Sequence, residues 1–187
     1  MAIIEDKDLG FYFLNGNPKV GDIFNYGSYN GHRIIWKILK IQDRMALVIT
    51  TDNVCKMPYH EPGGNITWSD CTLRRWLNSD FINGYFTQAE RARILSIKLK
   101  NDNNLKYKTP GGIPTTDKVF LLSINEAKTL FASKQARTNG SWWWLRSPGD
   151  YPHIAAFVYI GGEVDTIGTD VGDDGGVRPA LWLNLNL

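Results

Sequence analysis

Two blocks near the C-terminus constrain this chain more than anything else in it. The first runs Trp142, Trp143, Trp144, Leu145, Arg146, Ser147, Pro148, Gly149; the second runs Gly176, Val177, Arg178, Pro179, Ala180, Leu181, Trp182, Leu183. Each is dense in large apolar side chains, carries one Arg and alternates as a strand does, so each belongs inside a sheet. The interval between them is almost wholly Gly, Asp, Thr, Tyr, Ile, Val and Ala, with turn formers every few positions. The pattern predicts a rigid frame of Trp142, Trp143, Trp144, Arg146, Arg178 and Trp182 holding a surface of short strands and loops. A guanidinium among indoles can bind an anionic ligand, or it can cap strand-end carbonyls and stack on the rings. The position of both Arg residues inside apolar blocks favours the structural role.

Upstream, residues 1–19 read as a polar leader. Val20 to Tyr26, Arg33 to Ile41 and Arg44 to Thr51 read as an antiparallel meander, with turns at Asn30-Gly31 and at Gln42-Asp43. Ser69 is the expected N-cap of a short helix whose Leu73, Trp76 and Leu77 share one face. Thr87 with Glu90 and Ser123 with Glu126 have capping-box spacing and open two more helices, the first with Ala89, Ala92 and Leu95 turned inward. Residues 98–114 read as a long loop and Asp117 to Leu122 as a buried strand. Ile154 to Ile160 and Glu163 to Ile167 read as a hairpin turned by Gly161-Gly162. Alternation puts Ala155, Phe157 and Tyr159 on one face, which is expected to be exposed. Val177 to Leu183 reads as one strand whose Pro179 marks an edge or a bulge. One domain of 187 residues accommodates all of this.

Charge narrows the partners. From Ser147 to Leu187 the only cation is Arg178, against Asp150, Glu163, Asp165, Asp170, Asp173 and Asp174, a net charge of −5 in a chain of +2. Such a face argues against nucleic acid. Cys55 and Cys71 fit no zinc spacing, and whether they pair is open. Neither a metal nor a cofactor is expected. A calcium loop begun at Asp170 would need its closing Glu where Leu181 stands. Glu5, Asp6 and Asp8 stand where a signal peptide needs cations, and no apolar run approaches the ~20 residues of a membrane span. Synthesis in the cytoplasm without membrane insertion is expected, and virion or surface display by another route is left open.

The frame resembles the C-terminal signature of a bacterial and phage domain family that reads WWLRSPG, then a Gly- and Asn-rich interval, then GVRPALWLNL. The likeness extends to Tyr26-Gly27-Ser28-Tyr29-Asn30-Gly31, to Thr67 through Asn78 and to Asp117 through Ser123. That family is similar to the C-type-lectin-like fold, and some members are the variable proteins of diversity-generating retroelements. The resemblance implies an α+β fold of short antiparallel strands, two or three helices and a loop-rich C-terminal face. In diversified members the variable positions arise from adenine-rich Asn codons. Matched onto this chain, they are Asp150, Tyr151, Pro152, His153, Ile154, Phe157, Tyr159, Ile160, Asp165, Thr166, Ile167, Thr169, Asp170, Asp173 and Asp174. Every one is a residue type such codons reach when their adenines are replaced; Glu163 is not, and is expected to be constant.

The function implied is non-enzymatic recognition of a protein or glycan on a cell or host surface. Tyr151, Phe157 and Tyr159 would be aromatic anchors, and His153 and the Asp side chains would give polar selectivity. The alternative that Phe157 and Tyr159 pack beneath a loop is open, as is an undiversified binding module of the same fold. The formylglycine-generating enzymes share a related architecture, but their chemistry needs C-terminal cysteines and this chain has none after Cys71. Oligomeric state is not readable from the sequence.

Overall fold

The structure, a computed structural model, describes residues 18–186. All but the last two residues of the predicted polar leader lie outside them.

The chain opens as a meander. β1 (Ile23–Tyr29), β2 (His32–Gln42) and β3 (Met45–Thr50) pair antiparallel in sequence order. Asn30 and Gly31 turn the first hairpin with both φ angles positive, as the Asn-Gly pair predicts. The second turn falls one residue later than expected, at Asp43-Arg44, also with both φ angles positive. The strands close the loop at Gln42 opposite Met45, so the register and not residue preference chose the turn.

After β4 (Cys55–Met57) comes α1 (Thr72–Trp76), which continues through a π turn (Leu77–Phe81) into a last helical turn (Ile82–Gly84). Leu73, Leu77 and Phe81 are fully buried along one side. The N-cap is not Ser69: Cys71 sits there and its Sγ accepts from the Arg74 amide at 3.4 Å. The Ser69 hydroxyl is engaged by Thr67 and Asp70 instead. Both capping boxes form as the sequence predicts, Thr87 with Glu90 at the start of α2 (Gln88–Arg93) and Ser123 with Glu126 at the start of α3 (Ile124–Thr129). Ala89 and Ala92 nevertheless point to solvent, because α2 ends after six residues and Ile94 behind it goes inward, bridging to Leu183.

The expected loop at 98–114 carries β5 (Ile97–Leu99) at its start, paired with β6 (Thr115–Asp117). The expected strand from Asp117 to Leu122 is divided between β6 and the two-residue β7 (Val119–Phe120). A short α4 (Lys134–Arg137), β8 (Trp143–Pro148), β9 (Ile154–Val158), β10 (Val164–Asp170), β11 (Gly175–Val177) and β12 (Ala180–Asn184) complete the chain. Two five-stranded sheets result, ordered β1-β2-β3-β12-β7 and β10-β9-β8-β11-β4.

The fold is therefore mainly β, with 37% strand, 17% helix and, among the described residues, a single helical run of seven residues or more. The expected α+β, C-type-lectin-like architecture with two or three helices is corrected on this point. The capping signals were right about where helices start, but a cap does not determine length. Without an apolar stripe sustained over several turns, α2, α3 and α4 each stop after one or two turns, whereas α1, whose Leu73, Leu77 and Phe81 form such a stripe, runs on through its π turn.

Both frame blocks are buried, Trp143, Trp144, Leu145, Val177, Leu181 and Leu183 almost completely. Val177 to Leu183 is not one strand. β11 pairs with β4 and β8 in the second sheet, β12 with β3 and β7 in the first, and Arg178-Pro179 carries the chain between them. A proline without an amide hydrogen is tolerated at such a crossing, where no ladder bond is required of it. β11 can lie against the Trp residues only because it starts with glycine. A methyl on Gly175 would stand 2.2 Å from Trp144 Nε1.

Cys55 and Cys71 are both free thiols. Burial pushes Cys55 up to about 11 and Cys71 up to about 12 from 9.0. Both are therefore neutral thiols in the folded protein at physiological pH. Because the folded values exceed the unfolded ones, their contribution to stability is fully present below pH 9 and is lost as pH rises from there through the folded values. Urea midpoints measured between pH 7 and 11 are expected to fall only on the alkaline side, and replacing Cys71 by Ser should flatten that fall.

Candidate functional site

The segment between the two frame blocks is built around the β9–β10 hairpin at the edge of the second sheet. β9 is covered on both sides, and Ala155, Ala156, Phe157 and Val158 are all buried. This corrects the expected exposed face at Ala155 and Phe157, while Tyr159 is exposed. Phe157 is only 7% exposed, lying between Trp142 at 5.2 Å and Tyr159 at 4.7 Å between ring centroids. The small Ala side chains admit close neighbours on both faces, which simple alternation does not reveal.

The exposed residues gather at the hairpin's two ends. Of the seven large apolar side chains most exposed among the described residues, four are Tyr151, Tyr159, Ile160 and Ile167. At the tip, Tyr159 and Ile160 rim a shallow pocket of about 340 Å³ whose wall is Trp142, Phe157 and Thr169. At the base, Tyr151 stacks on His153 at 5.9 Å, and Ile167 is half exposed. Pro152, Asp170, Asp173 and Asp174 are exposed; Asp150, His153, Ile154, Asp165, Thr166 and Thr169 are partly buried.

Several of the Asp side chains shape loops as well as surface. β10 bulges by two residues between Asp165 and Thr169 relative to β9, and Asp165 Oδ1 accepts from the Ile167 and Gly168 amides at 2.7 and 3.0 Å. Asp170 Oδ1 accepts from Gly172 at 2.8 Å, and Thr169 donates to Asp173. Among the described residues no group of three or more His, Cys, Asp and Glu is placed to hold a metal.

The tip is fastened to α4. Arg137 Nε donates to Gly162 O at 2.8 Å, Thr138 Oγ1 to Ile160 O at 2.8 Å, and Lys134 pairs with Glu163 at 2.7 Å. Gly162, at φ +85°, leaves no room for a side chain: a methyl there would meet Lys134 O at 1.9 Å. Both frame arginines are buried and committed to the scaffold. Arg178 donates to Thr50 O at 2.8 Å and to Arg137 O at 2.6 Å, with its guanidinium 4.9 Å from the Trp143 ring centroid. Arg146 pairs with Glu126 through two hydrogen bonds and donates to Leu121 O at 2.8 Å. Trp182, by contrast, is only partly buried.

The sequence reading missed the support beneath the base. Asn104, 2% exposed, donates to Pro148 O, Gly149 O and Thr166 O at 3.0, 3.1 and 2.8 Å, and Thr109 Oγ1 donates to Asp150 O at 2.8 Å. One amide thus holds both loops of the base from a segment more than forty residues upstream, and no local pattern announces such a contact. Asn104→Ala is expected to cost about 2 kcal/mol, since buried carbonyls lose their donor. Hydrogen exchange should speed up at Asp150 and Ile167 and stay unchanged in β2 and β3.

Residues 45–185 match a family described as a domain of unknown function, DUF6273. The chain belongs to that family. Within the DUF6273 match fall both frame blocks, the hairpin, Asn104 and its loop, and β3; β1 and β2 precede it. No curated protein and no solved structure matches the chain. Among the described residues no helix is long and apolar enough to cross a membrane.

Proposed function

We propose that this DUF6273 domain is a non-enzymatic ligand-binding protein that recognises a protein or glycan on a cell or host surface. The β9–β10 hairpin and its flanking loops are its recognition face. The observation that carries this reading is the exposure of Tyr151, Tyr159, Ile160 and Ile167 around one hairpin whose β9 strand is buried and whose loops are held by hydrogen bonds. Exposed aromatic and aliphatic side chains on a rigid support lose little entropy on binding and contribute most of the energy at interfaces. The acidic side chains around them would steer basic partners and repel nucleic acid. Phe157 is not an anchor in this scheme; it supports Tyr159 from beneath.

We further propose that the face is diversified by a retroelement. Exposed substitutions usually change stability by only about 0.5 kcal/mol, so Tyr151, Tyr159, Ile160 and Asp174 can vary over this scaffold. The test is the DNA on either side of the gene. A near-copy of the codons for Trp142 to Trp182, mismatched at adenines and beside a reverse-transcriptase frame, is the expected result. If no copy exists, the face is constant and serves one specific ligand. Binding is tested separately: Tyr159→Ala with Ile160→Ala should lower retention of the labelled protein on target cells by about tenfold or more without shifting Tm. Retention equal to the parent's would exclude the hairpin tip.

A further inference from the structure

A second cavity lies beside the hairpin base and belongs to a different surface. It measures about 620 Å³, almost twice the tip pocket, within the range of pockets that hold small ligands. Its walls come from the loop carrying Asn103 and Lys106, from Ser123 and Lys128 at either end of α3, from Ser147 at the end of β8 and from Thr166 on the β10 bulge. Leu105, 91% exposed, and Ile124 supply its apolar sides.

Asn104 lines the cavity with its amide hydrogens already committed to the hairpin base, but three other polar groups there share one property. Ser123 and Ser147 are each only 6% exposed. Ser123 Oγ accepts from the Glu126 amide at 3.2 Å and Ser147 Oγ from the Ile124 amide at 3.0 Å. Asn103 Oδ1 accepts from the Gly111 amide at 3.1 Å. In every case an acceptor is already occupied by the backbone, while the hydroxyl or amide hydrogens stay available to a ligand. Lys106 and Lys128 add cationic donors at the mouth. Asp102, which also lines the cavity, pairs with the exposed Lys100 at 2.9 Å, and Glu126 is held by Arg146. Lys106 lies against the Tyr107 ring and feels Asp165, which leaves Lys128 as the freer of the two cations.

A cavity that offers donors and positive charge suits an acceptor-rich anion, and its volume exceeds that of a bare ion. We infer that this pocket binds a small, oxygen-rich organic anion of the size of an acidic sugar. The site is separate from the tip pocket, with which it shares no lining residue, and it is built chiefly from residues outside the interval between the frame blocks. It stands whether or not the hairpin is diversified.

The test is calorimetric titration of the full chain with sodium glucuronate, glucose 6-phosphate, glucose and inorganic phosphate. Saturable binding of glucuronate or glucose 6-phosphate below about 10 mM is expected, with glucose weaker by about tenfold or more. Whichever of the two acids binds more tightly identifies the anion as carboxylate or phosphate. Lys128→Gln, at an exposed position, should weaken the acid by about threefold to tenfold and leave Tm unchanged. Ser147→Ala should weaken it further, and Tyr159→Ala should have no effect. Glucose binding as tightly as glucuronate, inorganic phosphate binding as tightly as either sugar acid, full affinity in Lys128→Gln, or no saturable binding of either acid would each overturn the inference. Because Tyr159→Ala with Ile160→Ala reads the tip alone, failure here leaves the recognition face untouched.

Discussion

Arg178→Ala is expected to cost about 4 kcal/mol of folding stability, read as a drop in urea midpoint at unchanged slope. The guanidinium is 2% exposed and sits where the chain passes from the second sheet to the first. Removing it leaves the Thr50 and Arg137 carbonyls without their donor and opens a void against Trp143 and Phe131, with ring centroids 4.9 and 5.7 Å from it. Each orphaned buried carbonyl costs about 1–3 kcal/mol, and the void adds to that. Burial lowers the group from 12.5 to about 10, which still leaves it charged at neutral pH. Arg178→Lys should recover little, because one ammonium on a flexible stem does not reproduce the planar fork that meets two carbonyls and stacks on an indole. The consequence extends to the proposed recognition face. Arg137 accepts from Arg178 and donates to Gly162 at the hairpin tip, so the variant should also loosen the tip, seen as faster hydrogen exchange at Gly162. A loss below about 1 kcal/mol would remove Arg178 from the frame.

Asp117→Ala is the second large effect, expected at about 3–5 kcal/mol. This carboxylate is 1% exposed and is met from three directions. Arg74 donates to Oδ1 at 2.7 Å, and Trp68 Nε1 and Thr115 Oγ1 donate to Oδ2 at 2.9 and 2.8 Å. Alanine leaves a partly buried guanidinium with only the Ser69 carbonyl as acceptor and a fully buried indole N–H with none, and removing one partner from such a network costs more than the network contributes as a whole. Asp117→Asn keeps the volume but places an NH2 against donors, so it should recover less than half of the loss. Because Trp68 is fully buried here, its fluorescence should shift to the red in either variant before global unfolding.

What could be read from the chain was the chemistry whose partners are close in sequence. Thr87 with Glu90 and Ser123 with Glu126 form their reciprocal bonds because three residues separate the groups and one helical turn brings them together. Asn30-Gly31 turns the first hairpin because those residues tolerate positive φ. The frame blocks are buried because water excludes Trp, Leu and Val wherever the chain leads them. The same local logic went wrong where a distant neighbour decided. Phe157 alternates like an outward residue, yet Trp142 and Tyr159 cover it.

The sequence by itself determined the meander, the starts of two helices, the burial of the Trp-rich blocks and the position of the Gly- and Asp-rich surface between them. Each follows from backbone preference or hydrophobicity acting over a few residues. Only the tertiary structure decided that the chain is mainly β, that Val177 and Leu181 lie in different sheets, that Asn104 holds the base of the hairpin, and that Ser123 and Ser147 face one cavity. These arrangements join residues 20 to more than 100 positions apart. Their energy comes from hydrogen bonds and packing that exist only once the sheets have assembled, so no local window of the sequence contains them.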